Sequence, residues 1–186
     1  MMVKRAVIAV ALLVLGWSLW PGEVHAAPCP ATAIRWASST NTVYVSGDSV
    51  VCTLSELDLL ATKAVITQTN VSDKVWLVGS KIWLQNGATL RLYGSSIGGD
   101  VNELRLKSNN SSVANSVVFL RAYWGTIDIN ATKITSWDEA VGGVDTEYAT
   151  YKRSYIQVKS YLDADGVTPR ESRMDIINSN IGYLGF

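Results

Sequence analysis

The chain has 186 residues, 48% of them hydrophobic, with 16 Lys and Arg against 16 Asp and Glu. That even balance excludes the basic footprint of a nucleic-acid binder, and the length fits one domain behind a short leader. One histidine and two cysteines leave little material for His- or Cys-based chemistry.

Residues 1–26 read as a secretory signal. Lys4 and Arg5 open it, the run from Ala6 to Trp20 is apolar apart from Ser18, and Val24-His25-Ala26 fits a small-residue cleavage site before Ala27. The apolar run is shorter than the ~20 residues a membrane-spanning helix needs, and Pro21 and Gly22 break it. An uncleaved anchor is the alternative. Cleavage removes His25, so a histidine base, metal ligand or pH switch is excluded from the mature chain. It also removes Lys4, Arg5 and Glu23, leaving 14 basic and 15 acidic residues. No membrane contact is expected after signal removal.

Cys29 and Cys52 lie beyond the signal and therefore meet an oxidising compartment. A disulfide between them is expected, with two buried thiols as the alternative. Closing a loop of this length contributes on the order of 3 kcal/mol. Residues 27–75 read as an N-terminal cap region with a possible first turn of the repeating fold. Within it, Thr42-Val43-Tyr44-Val45 alternates like a strand. Thr53 to Leu60 has the pattern of a short helix, with Thr53 or Ser55 as cap and Glu56 near its start. Lys74-Val75-Trp76-Leu77-Val78 opens the regular part, which runs over 76–186.

That part is built on a repeat. Its copies are Ala88–Gly98, Gly125–Ser136 and Ser172–Leu184. Each has two apolar residues spaced by two, a small polar turn, and one Ile five residues on: Leu92/Ile97, Ile129/Ile134 and Ile176/Ile181. An apolar strand precedes each copy: Lys81–Leu84, Val117–Leu120 and Ser154–Val158. Period two places alternate side chains on opposite faces. Repeats that cannot bury their own apolar face stack on their neighbours. The expectation is all-β, a parallel β-helix (solenoid), with consecutive antiparallel hairpins as the alternative. Leu90, Leu92, Ile97, Ile127, Ile129, Ile134, Met174, Ile176 and Ile181 then point inward, and Arg91, Asp128 and Asp175 outward. Glu103-Leu104-Arg105-Leu106-Lys107 reads as an extra strand with a solvated charged face.

Neighbouring strands in such a stack lie ~4.8 Å apart. Asp128 and Asp175 would share one face with Arg173 beside them, and Arg91 and Lys159 nearby. These five residues form a candidate binding face for a sugar chain. The equally weighted alternative is a solvated exterior. Two insertions interrupt the repeat, from Asp138 to Arg153 and from Tyr161 to Glu171. Tyr148, Tyr151 and Tyr155 are candidates for stacking on sugar rings or for ordinary packing. Asp163-Ala164-Asp165-Gly166 has the look of a calcium turn, but the later ligands of such a loop are unmatched, so a plain turn is favoured. No metal site or cofactor is expected.

Thr126-Ile127-Asp128-Ile129 with Thr132 to Asp138, and Ser172 to Ile176 with Ile181-Gly182-Tyr183-Leu184-Gly185, resemble the right-handed β-helix of mannuronan C5-epimerases, within the pectin-lyase-like group. The resemblance covers roughly residues 80–186. It implies a right-handed helix and a secreted, periplasmic or cell-surface protein that modifies polysaccharide, with a polyuronate as partner. The family's Asp-Pro-His-Asp motif is absent, so no catalytic residue carries over. C5 epimerisation needs a base, an acid and a cation against the carboxylate, and nothing in the sequence pairs a Tyr acid with a base. The chain ends on Leu184-Gly185-Phe186 without a polar cap. That ending suggests the N-terminal part of a longer, truncated protein, or a short chain that closes its last coil by association. A non-enzymatic adhesion module and a polysaccharide lyase are the competing readings.

Overall fold

The computed structural model describes residues 28–108, 117–147 and 152–185. The signal-like segment, Tyr148, Tyr151 and Phe186 lie outside these ranges. Strands β1 (Ile34–Ala37), β2 (Thr42–Ser46) and β3 (Val51–Thr53) precede helix α1 (Leu54–Leu60). Next come β4 (Ile66–Asn70), β5 (Val75–Val78), β6 (Lys81–Tyr93), β7 (Glu103–Lys107), β8 (Phe119–Asn130) and β9 (Lys133–Asp138). The last elements are β10 (Gly143–Val144), β11 (Tyr155–Lys159), β12 (Tyr161–Leu162), β13 (Pro169–Arg170), β14 (Arg173–Ile177) and β15 (Asn180–Gly182).

The strands form two principal sheets whose long ladders are parallel. In the first, β2 and β3 both pair with β6, β6 pairs with β8, and β8 carries β11 and β14. In the second, β5, β7, β9 and β15 lie side by side in that order. The chain therefore visits the first sheet, crosses to the second, and returns one strand further along. Asn86, Gly87 and Trp124 take positive φ at 54°, 85° and 56°. They interrupt β6 and β8 at mid-length, where the register slips between Gln85 and Ala88. The first sheet thus has two halves, one ahead of this interruption and one after it.

Inward residues meet in rows. Cys52, Leu90, Ile127 and Met174 share one row, and Trp76, Leu104, Ile134 and Ile181 another. Leu90, Leu92, Leu104, Leu106, Leu120, Ile127, Ile129 and Ile134 are wholly buried. Burying each such side chain contributes roughly 1.5–3 kcal/mol, so the period-two pattern is what holds the two sheets together.

Three residues expected inside are not. Ile97 is 44% exposed in a 3₁₀ turn (Ser95–Ile97), and Leu104 takes the row position opposite Ile134. The polar link in this copy is longer, and Glu103–Lys107 is the third strand of the repeat rather than an extra one. Gly94 explains the close passage of this link, because a Cβ there would lie 2.0 Å from the Ala131 carbonyl oxygen. Met174 and Ile176 align with Ile127 and Ile129 as the pattern requires. They are 37% and 47% exposed because β14 pairs with β8 on one side only.

At the other end the stack is covered. β1 lies antiparallel on β2, and β4 antiparallel on β5, so each parallel ladder is closed by a reversed strand. The Thr53 side chain accepts from the Glu56 N–H while Glu56 accepts from the Thr53 N–H, a reciprocal cap that starts α1. α1 then buries Leu54 and Leu57. Cys29 and Cys52 are joined by a disulfide, and the Cys29 N–H donates to Glu56 Oε1 at 2.9 Å. The parallel ladder already includes β2 and β3, within the segment 27–75.

Candidate functional site

The outward face of the first sheet carries the chemistry. After the interruption, register places Thr53, Arg91, Asp128 and Asp175 in one row, and Thr89, Thr126 and Arg173 in the next. The strand-to-strand spacing that buries Leu90, Ile127 and Met174 in one row thereby stacks charged residues on the opposite face. Arg173 Nε binds both oxygens of Asp175, at 2.8 and 2.7 Å. Tyr93 donates its hydroxyl to Asp128 Oδ2 at 2.6 Å. That bond pushes the Tyr93 hydroxyl pKa up, with burial adding to it and Arg91 opposing it. The Arg91 guanidinium carbon lies 5.2 Å from the Tyr93 ring centre.

Arg91, Asp128, Arg173 and Asp175 therefore stand on one patch. Lys159 does not join it. It belongs to β11, ahead of the interruption, with Nζ 5.6 Å from the Tyr123 ring centre.

Sequence reasoning singled out Lys159 and Tyr155 but missed the group they belong to, in which Tyr155 packs on Phe119 and accepts from Arg121. Tyr44, Trp83, Arg121 and Gln157 occupy one outward row, Phe119 and Tyr155 the next, and Gln85, Tyr123 and Lys159 the one beyond. Trp83 stacks on Tyr44 at 5.7 Å and meets Phe119 and Tyr123 edge-on at 6.3 and 5.3 Å. Phe119 stacks on Tyr155 at 5.3 Å. Arg121 lies among these rings, 4.2 Å from Phe119 and 4.8 Å from Trp83, and donates to the Tyr155 hydroxyl at 2.7 Å. The available signal was alternation: these residues are the outward members of strands whose inward members are Ile82, Leu84, Leu120 and Ala122. Aligning those strands with each other, residue for residue, brings the row together.

The second sheet has a cavity of about 550 Å³ lined by Asn70, Asp73, Asn102, Glu103, Arg105 and Lys133 among others. Its charges are matched internally, since Glu103 lies 2.8 Å from Arg105 and 3.6 Å from Lys133. It offers a ligand less than the first sheet does.

Asp163-Ala164-Asp165-Gly166 is the turn of the β12–β13 hairpin. Asp163 pairs with Arg170, and Asp165 accepts from the Thr168 hydroxyl and from the Val167 and Thr168 N–H groups. The Thr168 side chain, then these amides, lower the Asp165 pKa to about 2. Among the described residues no three His, Cys, Asp or Glu side chains are grouped to hold a metal. Among them no helix is long and apolar enough to cross a membrane.

No family model and no curated protein matches the chain. Solved structures do. The crystal structure of the periplasmic alginate epimerase AlgG is similar with a TM-score of 0.53 and 16% identity, over 77% of this chain and 29% of that one. A singly substituted form of that enzyme gives 0.52 and 15% over the same shares. At this identity the likeness shows the fold alone: a β-rich chain with parallel sheets of the alginate-epimerase kind. This chain spans 29% of the length of those structures.

Proposed function

We propose that the chain is a right-handed parallel β-helix segment that binds an acidic polysaccharide, a polyuronate, on the outward face of its first sheet. It would belong with secreted or periplasmic proteins that modify such polymers. The observation that carries this reading is the charged ladder after the interruption, where Arg91, Asp128, Arg173 and Asp175 occupy adjacent rungs of a fold shared with alginate-epimerase structures. Lys159 extends the charged face ahead of the interruption. Arg91 and Arg173 lie two strands apart, on either side of β8, and two guanidinium groups so placed suit carboxylates repeated along a sugar chain, because Arg recognises carboxylate through paired hydrogen bonds. The polar hydrogen-bonding groups Tyr93 and Thr126 beside them suit hydroxyl groups. The leader-like residues 1–26 and the Cys29–Cys52 bridge support export.

The second reading, a binding module without catalysis, is favoured by one observation. Both outward carboxylates are already engaged, Asp128 by Tyr93 and Asp175 by Arg173. The test is calorimetric titration with oligomannuronate at two salt concentrations, beside a neutral mannan oligosaccharide. Binding of the uronate that weakens with salt is expected, and equal binding of the neutral sugar would overturn the proposal.

A further inference from the structure

We infer that the half of the first sheet ahead of the interruption is a separate anionic-glycan subsite, centred on Arg121, Trp83 and Lys81. The choice of a glycan as ligand rests on the polysaccharide reading above, and the location of the subsite does not. The strand segments that build it are Thr42–Ser46, Lys81–Gln85, Phe119–Tyr123 and Tyr155–Lys159. They contain Lys81, Arg121 and Lys159 and no Asp or Glu. None of these three cations is in an ion pair with a carboxylate among the described residues. The ladder on the other side of the interruption is different, because its cations share their rungs with Asp128 and Asp175. Within one sheet, one half is charge-matched and the other carries uncompensated positive charge.

Four details sharpen the assignment. Burial, and then the charge of Arg121, depress the Lys81 pKa, so the two cations stand close enough to repel and gain from an anion between them. Trp83 Nε1, Arg121 Nε and Gln157 Oε1, three neighbours of one row, are buried and have no hydrogen-bond partner among the described residues, as is true of Arg91 Nε and Asn130 Oδ1 after the interruption. A cavity of about 230 Å³ lined by Ser38, Ser39, Thr40, Asn41 and Lys81 continues the face beyond Lys81 with hydroxyl groups. Tyr44, Trp83, Tyr123 and Tyr155 are each half-buried, packed on one another and on Arg35, Phe119 and Arg121, and their exposed edges would meet the apolar C–H faces of a sugar. The row from Tyr44 to Gln157 crosses four strands, roughly 14 Å at strand spacing. That is the span of an oligosaccharide lying across the strands. A free inorganic anion would need the cations but not the rings.

The experiment titrates the full chain and its variants with oligomannuronate, dextran sulfate, the neutral mannan oligosaccharide and polyglutamate. Arg121→Gln and Lys81→Gln are each expected to weaken oligomannuronate binding about tenfold, the loss of one charge-assisted contact. Arg121→Lys, which keeps the charge, retains most of the affinity, and Trp83→Leu loses it with unchanged charge. Thermal melting of each variant separates lost binding from lost folding, with Lys81→Gln, on the partly exposed strand end, as the variant least able to disturb the core. The pair Arg91→Gln and Arg173→Gln should add its own loss independently. If Arg91 and Arg173 matter while Arg121 and Lys81 do not, this inference is overturned and the proposed function stands. If dextran sulfate binds through Arg121 while oligomannuronate is ignored, the subsite stands and the uronate reading falls. Tighter Arg121-dependent binding of polyglutamate than of either glycan overturns the glycan as ligand.

Discussion

Tyr93 donates its hydroxyl to Asp128 Oδ2 at 2.6 Å, from the last residue of one parallel strand to a residue near the end of the next. It is the pairing of a tyrosine acid with a carboxylate that sequence alone did not supply. Tyr93→Phe is expected to destabilise the chain by about 1 kcal/mol. The fold raises the pKa of this hydroxyl. Its stabilisation is therefore complete below the unfolded tyrosine value of about 10, and is lost as pH rises through the higher folded value. Urea unfolding of both proteins at pH 8 and at strongly alkaline pH checks this, since the difference between them should shrink at the higher pH.

The stacked rows make the cost of truncation depend on depth in the stack. Ile127, fully buried between Leu90 and Met174, should lose about 2–5 kcal/mol when changed to Ala. Ile176→Ala, on the half-exposed last strand, should lose less than about 1 kcal/mol. Equal losses in urea unfolding would mean that the end strand is as enclosed as the middle one.

The Cys29–Cys52 bridge ties the first described residues to the β3–α1 junction. Protein from an oxidising compartment should show no free thiol after denaturation. Replacing both cysteines by Ser should lower stability by about 3 kcal/mol for a loop of this length. Two titratable thiols per chain would reject the bridge.

The Asp163–Gly166 turn is satisfied by its own donors. Added calcium is expected to leave the melting temperature unchanged. The Asp165 carboxyl should titrate near the low value of about 2 given by Thr168 and the turn amides. Its lowered pKa means that the turn is held fully above the unfolded carboxylate value and released as pH falls towards that low value. Carbon-detected NMR titration of the side chain reads this directly, and a calcium-dependent rise in melting temperature would restore the metal reading.

Catalysis by this chain alone is not expected. Taking a proton from a carbon beside a carboxylate needs a positioned base together with a neutralised carboxylate. Asp128 and Asp175 would first have to give up Tyr93 and Arg173. In deuterated water, C5 exchange into polymannuronate should not exceed a no-protein control. Exchange that disappears in Asp128→Asn or Tyr93→Phe would place the chemistry on this pair.

The later halves of the strands were legible because their two faces differ in kind. Leu, Ile and Met alternate with Thr, Arg and Asp, so Leu90, Ile127 and Met174 could be aligned, and with them Arg91, Asp128 and Asp175. Ile97 misled because the polar link in that copy is longer, and spacing from Leu92 could not report a 3₁₀ turn around Gly94. The aromatic face was hidden because Trp83, Phe119 and Tyr123 are as hydrophobic as the inward residues, so alternation between inside and outside faded. Lys159 stands out in the sequence only by its charge. Only the register of β11 on β8 places it beside Tyr123 rather than Arg173.

An acidic sugar chain bound on the outward face of the first sheet would perturb the residues that line it. The most direct measurement is a two-dimensional NMR titration of the isotope-labelled chain with oligomannuronate. Shifts are expected to concentrate in β6, β8, β11 and β14, at Trp83, Arg91, Arg121 and Arg173 above all, and to shrink with added salt. Shifts confined to β7 and β9 around Glu103 and Lys133, or none at millimolar sugar, would contradict it.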